Sequence, residues 1–474
     1  MRFTAYSWTK RFQDATWTQA LGKSVDRFAS AASGPASEKQ AAGRMALSTF
    51  AVRVAGAALA FLSQIVLARL LGAHDYGIYS VAWTFVIVLG VMACGGFSTS
   101  ASRFIPQYRQ AEDLDGLRGF LKASRLTAFL FGLGTAACAI GFVYLLRPAI
   151  EPYYTLPLVI VFLALPFFAF GLVQDGIARS YDWPSLAMLP TYIWRPLAIL
   201  FLLICAVFLG FPASAETAAL VAVAATLLVA AYQYVHLKKK LPSKVSPGPA
   251  RIELKSWLVV SAPMLMVEGF LQLITSADVI MVSFFQSPDE VAVYFAASRT
   301  LALVHFVYFA VRAASAHRFS SYIHNQDLTG LAAYTRQASL WTFWPSLAAG
   351  AVLLLVAPLL LRLFGNGFES GYPLIALLLI GVLARASVGP ADALLSMTGH
   401  QKTCAGIYAA TFALNVVLNL IFIPWLGLAG AAIATSCAIL FEATVLAWAA
   451  KRRLNVTTFV VPLMLSDGRR PVES

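Results

Sequence analysis

Residues 64–83 read QIVLARLLGAHDYGIYSVAW. An apolar run passes through Arg69, meets the short polar corner Gly72-Ala73-His74-Asp75-Tyr76-Gly77, and resumes at once as a second apolar run. A bilayer crossing takes about 20 apolar residues of helix, and each flanking run supplies them. The stretch therefore predicts a helical hairpin whose polar tip lies at one membrane face.

The rest of the chain extends the same reading. Of its 474 residues 59% are hydrophobic and only 12% charged, against about 25% charged in soluble domains. Mean hydropathy is +0.74. The composition is that of an all-α polytopic membrane protein, and apolar segments fall at 47–70, 78–102, 125–146, 155–178, 186–209, 216–237, 258–285, 290–313, 338–363, 372–395, 403–424 and 428–450. About twelve transmembrane helices are expected. Residues 1–44 are polar and basic and lack a signal-peptide core, so they read as a cytoplasmic tail, either disordered or an amphipathic surface helix.

Connections on one side of the membrane are short, such as GAHDYG and QSPDE. Those on the other side are longer and basic, such as HLKKKLPSKVSPGPARIELKS. About 28 of the 35 Lys and Arg fall in the termini and the longer loops. Positive loops stay cytoplasmic, so both termini are expected in the cytoplasm. The same asymmetry explains the net charge of +13 as membrane electrostatics and leaves no reason to invoke nucleic acid.

The opening pattern recurs about 215 residues later in SADVIMVSFFQSPDEVAVYFAAS, residues 276–298. Tyr79 aligns with Tyr294, Asp75 with Glu290, Gly72 with Ser287, and Leu209-Gly210-Phe211 with Leu426-Gly427-Leu428. An even number of spans per half gives a parallel repeat. The expected organisation is a six-helix bundle over 45–237, a cytoplasmic linker over 238–256, a second six-helix bundle over 257–450, and a cytoplasmic tail over 451–474.

The five cysteines lie in spans without a metal-ligand spacing, and no nucleotide loop or catalytic triad is present. No catalytic residue, metal or cofactor is expected. The informative side chains are intramembrane charges, which are costly in lipid and face a cavity or a partner. They are Arg53, Arg195, Arg299 and Arg385 among the bases, and Glu268, Asp278, Asp392 and Glu442 among the acids. Arg385 and Asp392, seven residues apart, would share one helical face. Arginine presents a planar fork matched to phosphate oxygens, so the four arginines suit a cationic cavity for an anionic substrate. The acids read either as charge partners or as an ion-coupling site.

The stretch SQIVLARLLGAHDYGIYSVA, the run ASRFIPQYR that closes the second span, and residues 396–436 carry a family resemblance. Over about 45–450 the chain resembles the polysaccharide transporters, the Wzx-like oligosaccharide flippases, in the superfamily that also holds multidrug exporters and lipid II flippases. The resemblance implies a V-shaped, MATE-like pair of six-helix bundles. It implies a multi-pass protein of a bacterial inner membrane that moves undecaprenyl-pyrophosphate-linked oligosaccharide to the periplasmic leaflet by alternating access. Polysaccharide polymerase and chain-length machinery are the partners it suggests, for O-antigen, capsule or exopolysaccharide. A cation-coupled multidrug exporter of the same superfamily is the alternative.

Overall fold

The computed structural model describes residues 38–460, with side chains from Val54 onward except those of His317 and His324. Residues 1–37 and 461–474, most of the two expected tails, lie outside the described residues. The chain divides into two units, Met1–Gly56 and Ala57–Ser474. Of the first, the described part is the opening of helix α1; the architecture below is that of the second. Among the described residues every regular element is helical.

Helix α1 (Glu38–Ala93) is two arms joined at Gly72, whose φ of 77° and ψ of 170° are accessible to glycine and little else. Tyr76 Oη donates to Gln64 Oε1 at 3.1 Å. Twelve residues of straight helix would separate these two by about 18 Å, so the chain folds back on itself. The hairpin corner expected from residues 64–83 is present.

The first half continues through α2 (Phe97–Gln110), α3 (Leu114–Leu145), α4 (Pro152–Phe162), α5 (Leu165–Ser180), α6 (Pro184–Leu189), α7 (Arg195–Phe208) and α8 (Ala215–Lys240). The second half holds α9 (Leu254–Ile274), α10 (Ala277–Ser283), α11 (Pro288–His324), α12 (Leu328–Phe364), α13 (Tyr372–Val388), α14 (Ala391–Met397), α15 (Gln401–Leu426) and α16 (Leu428–Leu454). In the first half α5 packs on α2, α3 and α8; in the second α16 packs on α13 and α15. Helix α9 touches both α15 and, across the halves, α2.

By length and composition ten helices suffice to cross a membrane, or eleven if the pair α4 and α5, bent by 46°, is one span. The first of the ten runs from Val54 to Gln110 and contains the Gly72 corner, so all twelve expected segments are represented. Four of them are broken where hydropathy showed none; 78–102 is interrupted at Cys94–Gly96 and 155–178 at Leu163–Ala164. Segment 258–285 is interrupted at Thr275–Ser276, between α9 and α10. Segment 372–395 is interrupted at Gly389, with φ 62°, and Pro390, which has no N–H to donate. Arg385 and Asp392 therefore do not share one helical face: they stand on α13 and α14.

A second pair of corners makes the repeat visible. Asp113 N donates to Tyr108 O and Asp327 N to Tyr322 O, both at 3.0 Å. The two carboxylates accept from Gly116 N and Gly330 N at 2.9 and 2.8 Å, and the preceding residues Glu112 and Gln326 both have φ 55°. The underlying sequences, Asp113-Leu114-x-Gly116-Leu117 and Asp327-Leu328-x-Gly330-Leu331, lie 214 residues apart. The aspartate N-caps a helix in each half.

At the short-loop end the halves are in contact. A Cβ on Gly77 would stand 1.9 Å from Pro288 O, a backbone approach only glycine permits. Arg69 donates to the carbonyls of Arg362 and Leu363, both at 2.7 Å, satisfying the last turn of α12. Tyr76, fully buried, lies against the rings of Phe295, Phe364 and Phe368 with centroids 5.9–6.4 Å apart. These rings belong to one apolar cluster drawn from both halves.

Candidate functional site: a cavity between the halves

Above this closed end lies a cavity of about 300 Å³. Its walls are both arms of α1, the segment around Arg195, and one face of α11 from Phe295 to Phe306. Along α1 the lining runs from Leu67 back to Ala57 and from Tyr79 on to Ile87, away from the corner in each case. The cavity thus extends from the contacting corners toward the side that carries the basic loops.

Arg195, from the first half, and Arg299, from the second, both line it. A π-turn over Pro190–Trp194 leads into α7; Pro190 opens it and Pro196 stands two residues beyond its end. Such wide turns re-aim side chains within a helix. Thr191, in that turn, donates to Asp175 Oδ2 at 2.7 Å. The other oxygen of Asp175 accepts from Gln233 Nε2 at 2.6 Å, and the same amide also reaches Leu186 O at 2.8 Å. Asp175, 6% exposed, therefore ties α5, α8 and the π-turn together behind Arg195.

With its carboxylate occupied in this way, Asp175 makes no ion pair with Arg195. The Arg195 guanidinium instead lies 4.8 Å from the ring centre of Phe168 and 6.0 Å from that of Trp83. Arg299 lies 4.4 Å from the ring of Phe295. Asp278, buried on α10, accepts from Tyr294 Oη and Val279 N, both at 2.8 Å, and does not contact Arg299, which makes no ion pair among the described residues. Ring contacts contribute about 0.5–2 kcal/mol each. They leave the N–H forks of both arginines open to the cavity.

The remaining charges are arranged differently. Arg385 donates to Glu442 Oε2 at 2.6 Å, both side chains being almost wholly buried. Arg312 Nε donates to Asp392 Oδ2 at 2.6 Å, and Tyr308 and Tyr408 complete the carboxylate at 2.9 and 3.1 Å. Arg385 also lies over the Tyr308 ring, 5.9 Å from its centre, so the two pairs form one network inside the second half. Glu268 accepts from Thr99 of α2. The side chain of Arg53 lies outside the described residues. Of the arginines expected to act together, two line one cavity and Arg385 is neutralised elsewhere by Glu442.

Asp175 and Arg312 were not among the expected site residues. Each sits close to the hydropathic end of its segment, 155–178 or 290–313, where a charge reads as part of a loop. Helix α11 in fact continues to His324. The apolar segment 155–178 carries the polar pair Gln174-Asp175, which was the available signal.

The family described as polysaccharide biosynthesis protein matches residues 42–321, and the MatE family matches residues 263–421. No curated protein matches significantly. An inward-facing multidrug resistance MATE family transporter of the MOP superfamily superposes with a TM-score of 0.70 at 18% identity, over 86% of this chain and 98% of that one. Lipid II flippase MurJ, in an inward closed conformation, gives 0.67 at 16% identity, over 85% and 87%. A MOP superfamily transporter from Pyrococcus furiosus, described by the reverse polarity of its binding pocket, gives 0.64 at 16% identity, over 88% and 96%. Identities this low establish the fold alone, which is the two-bundle fold of that superfamily. With the family match covering more than half its length, the chain, whose many apolar helices make it a multi-pass membrane protein, belongs to the polysaccharide biosynthesis protein family.

Proposed function

We propose that this protein moves undecaprenyl-pyrophosphate-linked oligosaccharide across a bacterial inner membrane, from the cytoplasmic to the periplasmic leaflet, with both termini in the cytoplasm. The observation that carries the reading is the pair Arg195 and Arg299, one from each half, facing one cavity and making no ion pair with a carboxylate among the described residues. An uncompensated charge in the membrane costs several kcal/mol, and a diphosphate presents oxygens that match both forks. A cavity of about 300 Å³ is at the small end of ligand sites; it suits the diphosphate and first sugar. The rest of the oligosaccharide extends toward the basic-loop side, and the aromatic rings beside each arginine offer stacking faces.

Alternating access follows from the closed short-loop end. Parting the corners at Gly77 and Pro288 while the opposite ends approach would expose the same two arginines to the periplasm. Binding favours transport only where the ligand interacts differently with the two states. One arginine from each half gives a dianion that property, because it attracts both halves at once. The arginines favour an anion over the cationic compounds of a multidrug exporter, although the fold is common to both.

The test is mass spectrometry of lipid-linked sugars in a strain lacking the protein, with and without re-expression. A completed oligosaccharide on undecaprenyl diphosphate that accumulates only in the deletion supports the reading. An unchanged pool, together with raised sensitivity to cationic drugs, would replace it with the exporter.

A further inference from the structure

Two neutral polar side chains share the cavity with the arginines, and the internal repeat singles out the first. In the second half Tyr294 Oη donates to Asp278 Oδ2 at 2.8 Å. At the repeat offset of 215 the corresponding residues of the first half are Tyr79 and Ser63, and both line the cavity. Where the second half has a carboxylate to accept the tyrosine, the first has a serine whose hydroxyl donates to Ala60 O at 2.7 Å. Tyr79 is only 3% exposed, yet its Oη makes no hydrogen bond among the described residues and is not sealed within protein. The free hydroxyl therefore opens on the cavity.

Gln64 is the second. Its Oε1 is taken by Tyr76 Oη at 3.1 Å, which leaves Nε2, a group that only donates. This nitrogen also has no acceptor among the described residues and is not sealed in, and Gln64 lines the cavity. Shared rings set one donor beside each arginine. Tyr79 stacks on Trp83 with centroids 6.2 Å apart, and Arg195 stands 6.0 Å from the same Trp83 ring. Tyr76, which holds Gln64, packs on Phe295 at 5.9 Å, the ring that lies 4.4 Å from Arg299. No Asp or Glu is among the described residues of the lining. A set of donors with its amide acceptor already used suits phosphate oxygens, which only accept, better than sugar hydroxyls, which also need acceptors.

We propose, on the footing of the function proposed above, that Tyr79 Oη and Gln64 Nε2 complete the diphosphate site begun by Arg195 and Arg299, and that Tyr76 positions Gln64 in it. The Tyr76 bond ties this site to the closed end. Tyr76 is wholly buried against Phe295, Phe364 and Phe368 of the second half. Parting the corners bares its hydroxyl to water, which competes for the bond. Gln64 then loses its fixed orientation and the diphosphate loses a donor. Affinity thus falls as the short-loop end opens, and a difference in affinity between the two states is what favours release there.

The experiment measures the affinity of the full chain in lipid nanodiscs for undecaprenyl pyrophosphate and for undecaprenol, which has the same tail and no phosphate. Tyr79→Phe removes one oxygen that faces open space, and should lower the preference for the pyrophosphate about tenfold, as a hydrogen bond to a charged group does. Gln64→Leu should lower it by a similar factor, and Tyr76→Phe about threefold. In Gln64→Leu/Tyr76→Phe the second change should add nothing, the mark of a residue that acts through another. A preference unchanged in Tyr79→Phe and Gln64→Leu, while Arg195→Ala/Arg299→Ala loses it, would overturn these donors and leave the proposed function standing. A preference unchanged in the arginine variant as well would overturn both. Equal losses for the two lipids would assign Tyr79 and Gln64 to the fold and overturn their contact with phosphate. Independent effects of Gln64→Leu and Tyr76→Phe would overturn the positioning role.

Discussion

His74 Nδ1 stands 3.2 Å from Asp289 Oδ2, 215 residues away in the chain, and 215 is the offset at which the two halves repeat. Each residue thus occupies the place in its own corner that the other occupies in the partner corner, and the two corners meet at the short-loop end. Repetition has produced a contact between near-equivalent positions across the interface between the halves.

Both side chains are about half exposed, and exposed ion pairs contribute about 0–1 kcal/mol. His74→Ala alone should leave transport within about twofold of wild type. Cysteines at 74 and 289 joined by a short bifunctional reagent should instead stop transport, with recovery on cleaving the linker. Transport that continues through an intact cross-link contradicts opening at this end.

Glu442→Gln should be far more damaging than its distance from the cavity suggests. Removing one partner of a buried ion pair costs about 3–5 kcal/mol, whereas replacing both by apolar residues is often neutral. Thermal unfolding in detergent should show a large loss for Glu442→Gln and for Arg385→Leu, and recovery in Arg385→Leu/Glu442→Leu. A double variant as unstable as either single one would assign Arg385 a role beyond its partner.

Asp175 separates geometry from charge. Asparagine keeps an acceptor for Gln233 and offers Thr191 a donor, so Asp175→Asn should hold the π-turn and retain substrate affinity within a few-fold. Asp175→Ala releases both contacts and should weaken binding about tenfold, chiefly through the orientation of Arg195. The discriminating readout is affinity in Asp175→Asn, which a need for the negative charge would lower as far as in Asp175→Ala.

The paired corners at Asp113 and Asp327 give a dependence on pH. The backbone N–H of Gly116 beside Asp113, and that of Gly330 beside Asp327, hold both carboxyls below the ordinary carboxylate range. A lowered folded-state value means that stability is present above the unfolded value and lost as pH falls through the folded one. Unfolding temperature should therefore drop as pH falls through the lower carboxylate range, and the drop should be smaller in Asp113→Asn/Asp327→Asn. An identical acid profile in that variant would contradict the assignment.

The hairpin at 64–83 was legible because a polar corner between two apolar runs has few other meanings in a membrane. Helix breaks within apolar stretches were not legible. Thr275–Ser276 and Gly389–Pro390 interrupt segments of unbroken hydropathy, and the second break moves Asp392 onto its own helix. Arg195 and Arg299 stood out because charge is costly in lipid. The same signal marked Arg385, since sequence does not reveal that Glu442, 57 residues on, lies against it. The Asp-Leu-x-Gly-Leu repeat was readable in the letters but fell in polar loops, whereas the search for repetition rested on apolar spans.

The most direct measurement is the affinity of undecaprenyl pyrophosphate for the protein in lipid nanodiscs, compared with Arg195→Ala/Arg299→Ala at matched thermal stability. A hydrogen bond to a charged group contributes about 1.5–3 kcal/mol, so each arginine should account for about tenfold or more in affinity. The wild-type affinity should also weaken with salt. A double variant that binds as tightly as wild type would contradict the cationic cavity as the site of the diphosphate.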